Sequence, residues 1–286
     1  MPTCGAWSAS LRGASCTRSD GNGRPVLLAL WNYRGFVLAS VRREFEARYR
    51  ASVLGGFWAV ANPIAQIAVY TLVLSEVMQA RLPGVDTAYA YSIFLCAGII
   101  PWLLFSEIVS RSTSVFVDNA NLIKKLSFPR ICLPATVVGS ALLNFAIVFG
   151  LFLVFLLVTG RLPGAPLLAL IPVVVIQVLL AASLGVLLGV ANVFYRDTTQ
   201  AVAIVLQFWF WLTPIVYPLA IVPKRFHPII EANPMTGVIG AFQDVLLAQQ
   251  WPDWLRLLPA LSTAIVVAAL AMRFFRRRSG EMVDEL

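Results

Sequence analysis

Asn144-Phe-Ala-Ile-Val-Phe-Gly-Leu-Phe-Leu-Val-Phe-Leu-Leu-Val158 holds no charged residue and closes an apolar run that starts near Ile131. The run extends to Thr159, and about 20 apolar residues are enough for a helix to cross a hydrocarbon core of roughly 30 Å. Its apolar residues are continuous, whereas the strands of a membrane barrel alternate with a period of two. Comparable runs recur along the 286 residues, which are 59% hydrophobic and 13% charged. A soluble domain carries about 25% charged residues. The expected fold class is therefore all-α, a polytopic membrane protein.

Six transmembrane helices are expected. The first covers about residues 57–80, with Pro63 in its opening turns where proline is tolerated best. The second covers 89–109, the third 131–159 and the fourth 165–194. The fifth starts near Gln200 and is interrupted by Pro214 and Pro218, and the sixth covers 254–275. Ahead of them, in residues 31–52, Leu38, Val41, Phe45 and Tyr49 form a stripe at helical spacing. Arg42, Arg43, Glu46, Arg48 and Arg50 occupy the other faces, the pattern of an amphipathic helix lying in the membrane interface. Residues 1–30 contain Arg12, Arg18 and Arg24 but not the apolar core of about 7 to 15 residues that a secretory signal needs. They read as a flexible cytoplasmic tail, and residues 279–286 as a cytoplasmic C-terminal tail.

The net charge of +8 matters less than where the cations sit. With the N-terminus in the cytoplasm, only Arg81, Arg161, Lys224, Arg225 and Arg256 of the 22 lysines and arginines fall outside. Both termini are therefore expected in the cytoplasm. Arg-Leu-Pro-Gly occurs at 81–84 and again at 161–164, which turn chemistry explains without an internal repeat.

Between the second and third spans lies a polar island, Asn119-Ala-Asn-Leu-Ile-Lys-Lys-Leu-Ser-Phe-Pro-Arg130. Asn119 or Asn121 can cap a short helix there. Pro129 forces Phe128 out of the helical region and ends it. Leu122, Ile123 and Leu126 share one side, and Lys124 and Lys125 turn toward the other. A short helix hanging between spans on the cytoplasmic side is a place for a soluble partner to grip. Glu107 and Arg111 are spaced i, i+4 in the second span. About 16 residues from Tyr91 at 1.5 Å each bring Glu107 close to the inner headgroups, so the pair reads as interfacial.

Residues 214–250 are the second unusual stretch. Pro214, Pro218, Pro223, Pro228 and Asn233-Pro234 punctuate it. Met235, Val238, Ile239, Phe242, Val245 and Leu246 then repeat at helical spacing over a block too short to span. Short proline-joined helices at membrane depth are tolerated where they pack on protein or line a cavity, so this stretch reads as re-entrant or gate helices on the outer side. Just before it, Phe208, Trp209, Phe210 and Trp211 cover a whole helix circumference, so some must face protein or a passage. Phe208, Trp209 and Trp211, with Trp102, Phe105 and Tyr217, are the candidate aromatics of a sugar-conducting passage, since ring faces stack on apolar sugar faces.

Catalytic and metal sites have little material. His227 is the only histidine, and Cys4, Cys16, Cys96 and Cys132 show neither zinc nor redox spacing. No GxxxxGK[ST] phosphate loop occurs. A transporting chain with no engine of its own directs attention back to the polar island.

Several segments in order carry a resemblance. Arg48-Tyr-Arg-Ala-Ser-Val-Leu-Gly-Gly-Phe-Trp58 followed by Asn62-Pro63 resembles the approach to the first span in ABC exporter permeases for polysaccharides. Gly98-Ile-Ile-Pro-Trp102, Asn119 to Arg130, Tyr195-Arg-Asp-Thr198, Leu212-Thr-Pro-Ile-Val-Tyr217 and Asn233-Pro234 follow the same family pattern. The similarity covers about residues 31–278. It implies a homodimer of this chain forming the channel and two copies of a separate ABC ATPase subunit. ATP and Mg would bind in that partner, with no cofactor in this chain. It implies a substrate such as O-antigen on undecaprenyl diphosphate, a capsule or a teichoic acid polymer, moved across the bacterial inner membrane. Asn121, Leu122, Ile123, Lys124, Lys125, Leu126 and Phe128 would couple to the ATPase. Pro214, Pro218, Asn233 and Pro234 would belong to the outer gate. Arg48, Arg50 and Lys124 are candidates for the diphosphate headgroup on charge grounds. Two rival expectations are a permease of this fold that exports drugs or other lipids, and a membrane-embedded glycan-modifying transferase. The transferase would need clustered acids or histidines, and Glu76, Glu107 and Asp197 are scattered.

Overall fold

The computed structural model describes residues 33–50, 61, 65, 90–125, 129–278 and 281–285. Every regular element among them is helical. Helix α1 is Arg34–Arg50, α2 Ala90–Asp118, α3 Ala120–Lys125 and α4 Cys132–Val158. A 3-10 turn, Ala165–Ala169, leads into α5, Leu170–Phe194, and α6 is Thr198–Leu212. Helices α7, His227–Ala232, and α8, Pro234–Leu246, follow. A second 3-10 turn, Trp254–Leu257, precedes α9, Leu258–Arg278, and α10 is Met282–Glu285.

Four segments are long and apolar enough to cross a membrane: 90–118, 132–158, 165–194 and 254–278. They match the expected second, third, fourth and last spans. The expected fifth is represented by α6, an apolar helix of 15 residues that stops at Leu212, two residues before Pro214. The expected first span, with Asn62-Pro63, lies outside the described residues apart from Ala61 and Ala65, as do residues 1–32 and the first Arg-Leu-Pro-Gly.

Helix α2 is the axis of the bundle. Of its most apolar window 78% is buried, against 17% for α4 and 22% for the last span. Helices α4, α5, α6 and α8 all pack on it. The tightest approach is to α5, at Gly185 and Gly189. A Cβ on Gly189 would lie 2.5 Å from the Ser112 carbonyl oxygen, and one on Gly185 would lie 2.5 Å from the Ser112 Cβ. This is a Gly-x-x-x-Gly surface, which lets two backbones approach where lipid supplies no hydrophobic drive between helices. Gly98 repeats the theme nearer the other end of α2, where a Cβ would lie 3.0 Å from the Ile215 side chain.

Helix α8 buries the whole stripe expected of it: Met235, Val238, Ile239, Phe242, Val245 and Leu246 are all at most 1% exposed. It lies between α2, α5 and α9. Gly237 lets it reach the turn before α9, since a Cβ there would sit 1.9 Å from the Arg256 carbonyl oxygen. In α1, Val41 is buried and Leu38 is exposed. The side chains of Phe45 and Tyr49, which complete the expected stripe, lie outside the described set.

Gly189→Ala should therefore destabilise the detergent-solubilised chain by about 1–3 kcal/mol, as overpacking does, seen as a lower Tm. Ser112→Ala should stay within about 0.5 kcal/mol, because the buried Ser112 hydroxyl has no hydrogen-bond partner to lose.

Candidate functional site

The polar island folds as α3 directly below α2. Asn119 sits at the junction. Its carbonyl accepts from the backbone N–H groups of Leu122 and Ile123 at 3.0 and 3.1 Å, which starts α3. Its side-chain amide turns back and donates to the Val115 carbonyl at 2.8 Å, which closes α2. The cap thus comes from the Asn119 backbone, while its side chain finishes the preceding helix.

The three described side chains at the centre of α3 divide. Ile123 is 8% exposed and joins a cluster with Val115, Phe116, Leu133, Val137 and Met282. Leu122 and Lys124 are exposed, as is Asn121. Leu122 and Ile123, expected on one face, therefore part company: one points out of the protein and the other seats α3 on it. Leu126 and Phe128 lie outside the described residues, as do the side chains of Lys125, Arg48 and Arg50. Met282, in the C-terminal tail after the last span, is fully buried in the Ile123 cluster. Arg278 pairs with Glu281 and lies 5.4 Å over the Phe194 ring, which fixes α10 beneath the bundle. Arg130, just past the island, has a buried Nη1 without a hydrogen-bond partner, and burial lowers its pKa.

At the opposite end the candidate aromatics also divide. Trp102 and Phe105 are 6% and 0% exposed. They meet Trp209 edge-on at 6.4 and 5.2 Å between ring centroids, and Trp102 meets Phe210 at 5.7 Å. These four rings weld α6 to α2. Phe208 and Trp211 are 66% and 59% exposed and continue an outward apolar face with Ile204, Val205 and Leu212. Among the candidate aromatics, Phe208 and Trp211 are the exposed ones, with Trp211 also edge-on to Phe210 at 5.4 Å.

Asn233 joins this helix to the outer helices. Its Oδ1 accepts from the Trp209 indole N–H at 2.8 Å and from the Met235 backbone N–H at 3.0 Å, capping α8. Its Nδ2 donates to the Thr213 hydroxyl at 2.9 Å. Pro234 fills the first turn of α8, where a missing N–H costs nothing. Pro214 is buried, and its carbonyl accepts from Gln243 at 3.3 Å. Tyr91 donates to the Val216 carbonyl at 2.8 Å, and Tyr217 to that of Trp211 at 2.9 Å. Pro218 is half-buried and leads into the 3-10 turn Leu219–Ile221. Burial raises the Asp244 pKa at the end of α8, with Arg256 opposing the shift and Asp253 adding to it. The lone His227 ring is occupied by the Val222 carbonyl at 3.0 Å, and no metal-ligating cluster occurs among the described residues.

The arrangement is an apolar helical bundle with a short, partly exposed helix at one end and a hydrogen-bonded cap at the other. A family model for the ABC-2 type transporter matches residues 36–247. The chain belongs to the ABC-2 type transporter family. Relatives agree over most of its length. An O-antigen export system permease protein, RfbA of Myxococcus xanthus, is 30% identical over 259 residues, covering 90% of this chain and 97% of the relative. RfbA of Klebsiella pneumoniae is 31% identical over 206 residues, 72% of this chain and 77% of that one. The polysialic acid transport protein KpsM of Escherichia coli is 22% identical over 245 residues, 84% of this chain and 92% of the relative. In this ABC-2 chain α3 and the Asn233 cap both fall inside the matched range.

The sequence alone did not single out Asn233 as a three-way junction. The signal was present only as Asn before Pro at a helix start. Asn233→Ala removes three hydrogen bonds and strands the Trp209 indole, a cost of about 2–4 kcal/mol. A lower Tm is expected. Asn233→Asp keeps both acceptor contacts and loses only the bond to Thr213, whose hydroxyl already donates to the Trp209 carbonyl, so it should retain more stability than alanine.

Proposed function

We propose that this chain is the membrane-spanning permease subunit of an ATP-driven exporter for a lipid-linked polysaccharide. It moves an O-antigen-like glycan from the cytoplasmic to the outer side of a bacterial inner membrane. The observation that carries this reading is the similarity to an O-antigen export permease over 90% of the chain. Two copies of the chain form the passage, and two copies of a separate ATPase subunit bind ATP and Mg beneath it.

The geometry supplies a route for force. The end carrying Lys124, Arg196, Arg276, Arg277 and Arg278 is cytoplasmic on the positive-inside rule. There α3 offers the ATPase Leu122 and Lys124, while Ile123 roots it in the cluster shared with α2, α4 and α5. A push on α3 therefore reaches three spans through packed side chains. On the passage side, Phe208 and Trp211 give α6 an aromatic face suited to the apolar faces of sugar rings. The cationic Lys124, with Arg48 and Arg50, suits a diphosphate headgroup arriving from the cytoplasm. The Asn233 cap closes the outer end and is tied to α6 through Trp209, so movement of α6 and movement of the cap are linked.

In liposomes holding this chain and its partner ATPase, ATP should drive lipid-linked glycan across the bilayer, and omission of either protein should abolish the movement. Leu122→Asp with Lys124→Glu should weaken retention of the ATPase in pull-down by about tenfold, as loss of interface contacts worth about 1.4 kcal/mol does. Ile123→Asp should instead lower the Tm of the chain itself. Unchanged ATPase retention in the double variant would overturn docking through α3.

A further inference from the structure

Helices α1, α2 and α4 meet at one polar cluster. Arg111 Nη1 donates to Glu107 Oε1 and to the Ser140 hydroxyl, each at 3.2 Å. Arg111 Nη2 donates to Glu44 Oε1 on α1. Asn144 on α4 donates to the second Glu107 oxygen at 3.0 Å. The three charged side chains are only 19–32% exposed. Beside them Val41 of α1 is seated on α4, where a Cβ on Gly139 would come within 2.8 Å of its methyl.

The apolar seat at Gly139 already contributes adhesion between α1 and the spans. An ion pair adds little net adhesion over well-packed apolar residues and is expensive to place near a bilayer. Its chemistry offers something that packing does not, which is a contact that can be broken in one step. Arg111 carries two carboxylates on its two nitrogens. If Glu44 leaves with α1, Glu107 remains on Arg111, and Asn144 remains on Glu107. No bare charge is left inside the bundle, and Glu44 departs with a helix whose other faces already carry charge. The cost that makes most buried pairs rigid, the stranding of one partner, is removed by the second carboxylate.

We propose that Arg111 is a positioning residue that latches α1 to α2 and α4 through Glu44, and that Glu107 holds the guanidinium when the latch opens. With the latch closed, displacement of α1 drags α2 and α4 together; with it open, α1 moves alone. The latch rests on the reading of this chain as an ATP-driven permease for its role in transport, but its opening is measurable without transport.

Glu44→Gln is the informative variant, because it weakens the α1 contact and leaves Arg111, Glu107 and Asn144 paired. A Val41→Cys reporter in a chain lacking its four natural cysteines should react with maleimide several-fold faster when Glu44→Gln is added. In liposomes with the ATPase, the same Glu44→Gln should lower glycan exported per ATP hydrolysed by about fivefold, a coupling loss of ordinary allosteric size. ATP hydrolysis and Tm should stay near the parent values. Unchanged maleimide reactivity overturns the latch. Faster labelling with unchanged export per ATP overturns its part in coupling. A parallel fall of Tm, hydrolysis and export shows a structural contact and overturns it as well. Failure of the parent complex to export overturns the functional reading instead, and the labelling arm still decides the latch.

Discussion

The close crossing of α5 over α2 at Gly185, Gly189 and Ser112 sets the rest of the structure. Between spans there is no water to expel, so association depends on how near two backbones can come. Two glycines one turn apart remove the side chains that would hold the helices apart. Once α2 is held there, it is the axis on which α4, α6 and α8 pack, and α9 closes on α5 from the other side. The outward flanks of α4 and α9 stay apolar and exposed, as helices facing lipid should.

Two polar junctions stand toward the two ends of the bundle. At one end Arg111 ties α1 to two spans. At the other Asn233 ties the cap to α6 and to the turn after it. Each is a junction between an axial span and a peripheral element. Hydrogen bonds of this kind are directional and break as units, whereas the α2–α5 crossing yields only by unpacking. The molecule thus combines a closely packed centre with hydrogen-bonded attachments toward its two ends, an arrangement that suits the proposed transport role.

Hydropathy made four spans legible because a long apolar run has one physical outcome in a bilayer. It was less informative for α6, where Pro214 cuts the apolar stretch short and the chain turns. The stripe of α8 was readable because six apolar positions over three turns leave one face. Helix α3 is only six residues long, so periodicity could not separate Leu122 from Ile123. What decided between them was Met282, contributed from about 160 residues away. The aromatic run 208–211 likewise announced that something must face protein. Which rings did so depended on Trp102 and Phe105 in another helix. The Gly185–Gly189 spacing was visible in the sequence and was a fair signal of a close crossing. The partnership of Arg111 with Glu44 and Ser140, and of Glu107 with Asn144, was not visible, since it joins three helices separated by long stretches of chain.

On the proposed function, α3 is the point at which a separate ATPase grips this chain, with Leu122 and Lys124 outward and Ile123 inward. Single cysteines at these three positions, in a complex purified from membranes with the ATPase bound, test that division through a short thiol-to-amine cross-linker. Cross-links to the ATPase from positions 122 and 124, and none from 123, are the expected result. Equal cross-linking from 123, or none from 122 and 124, would contradict it.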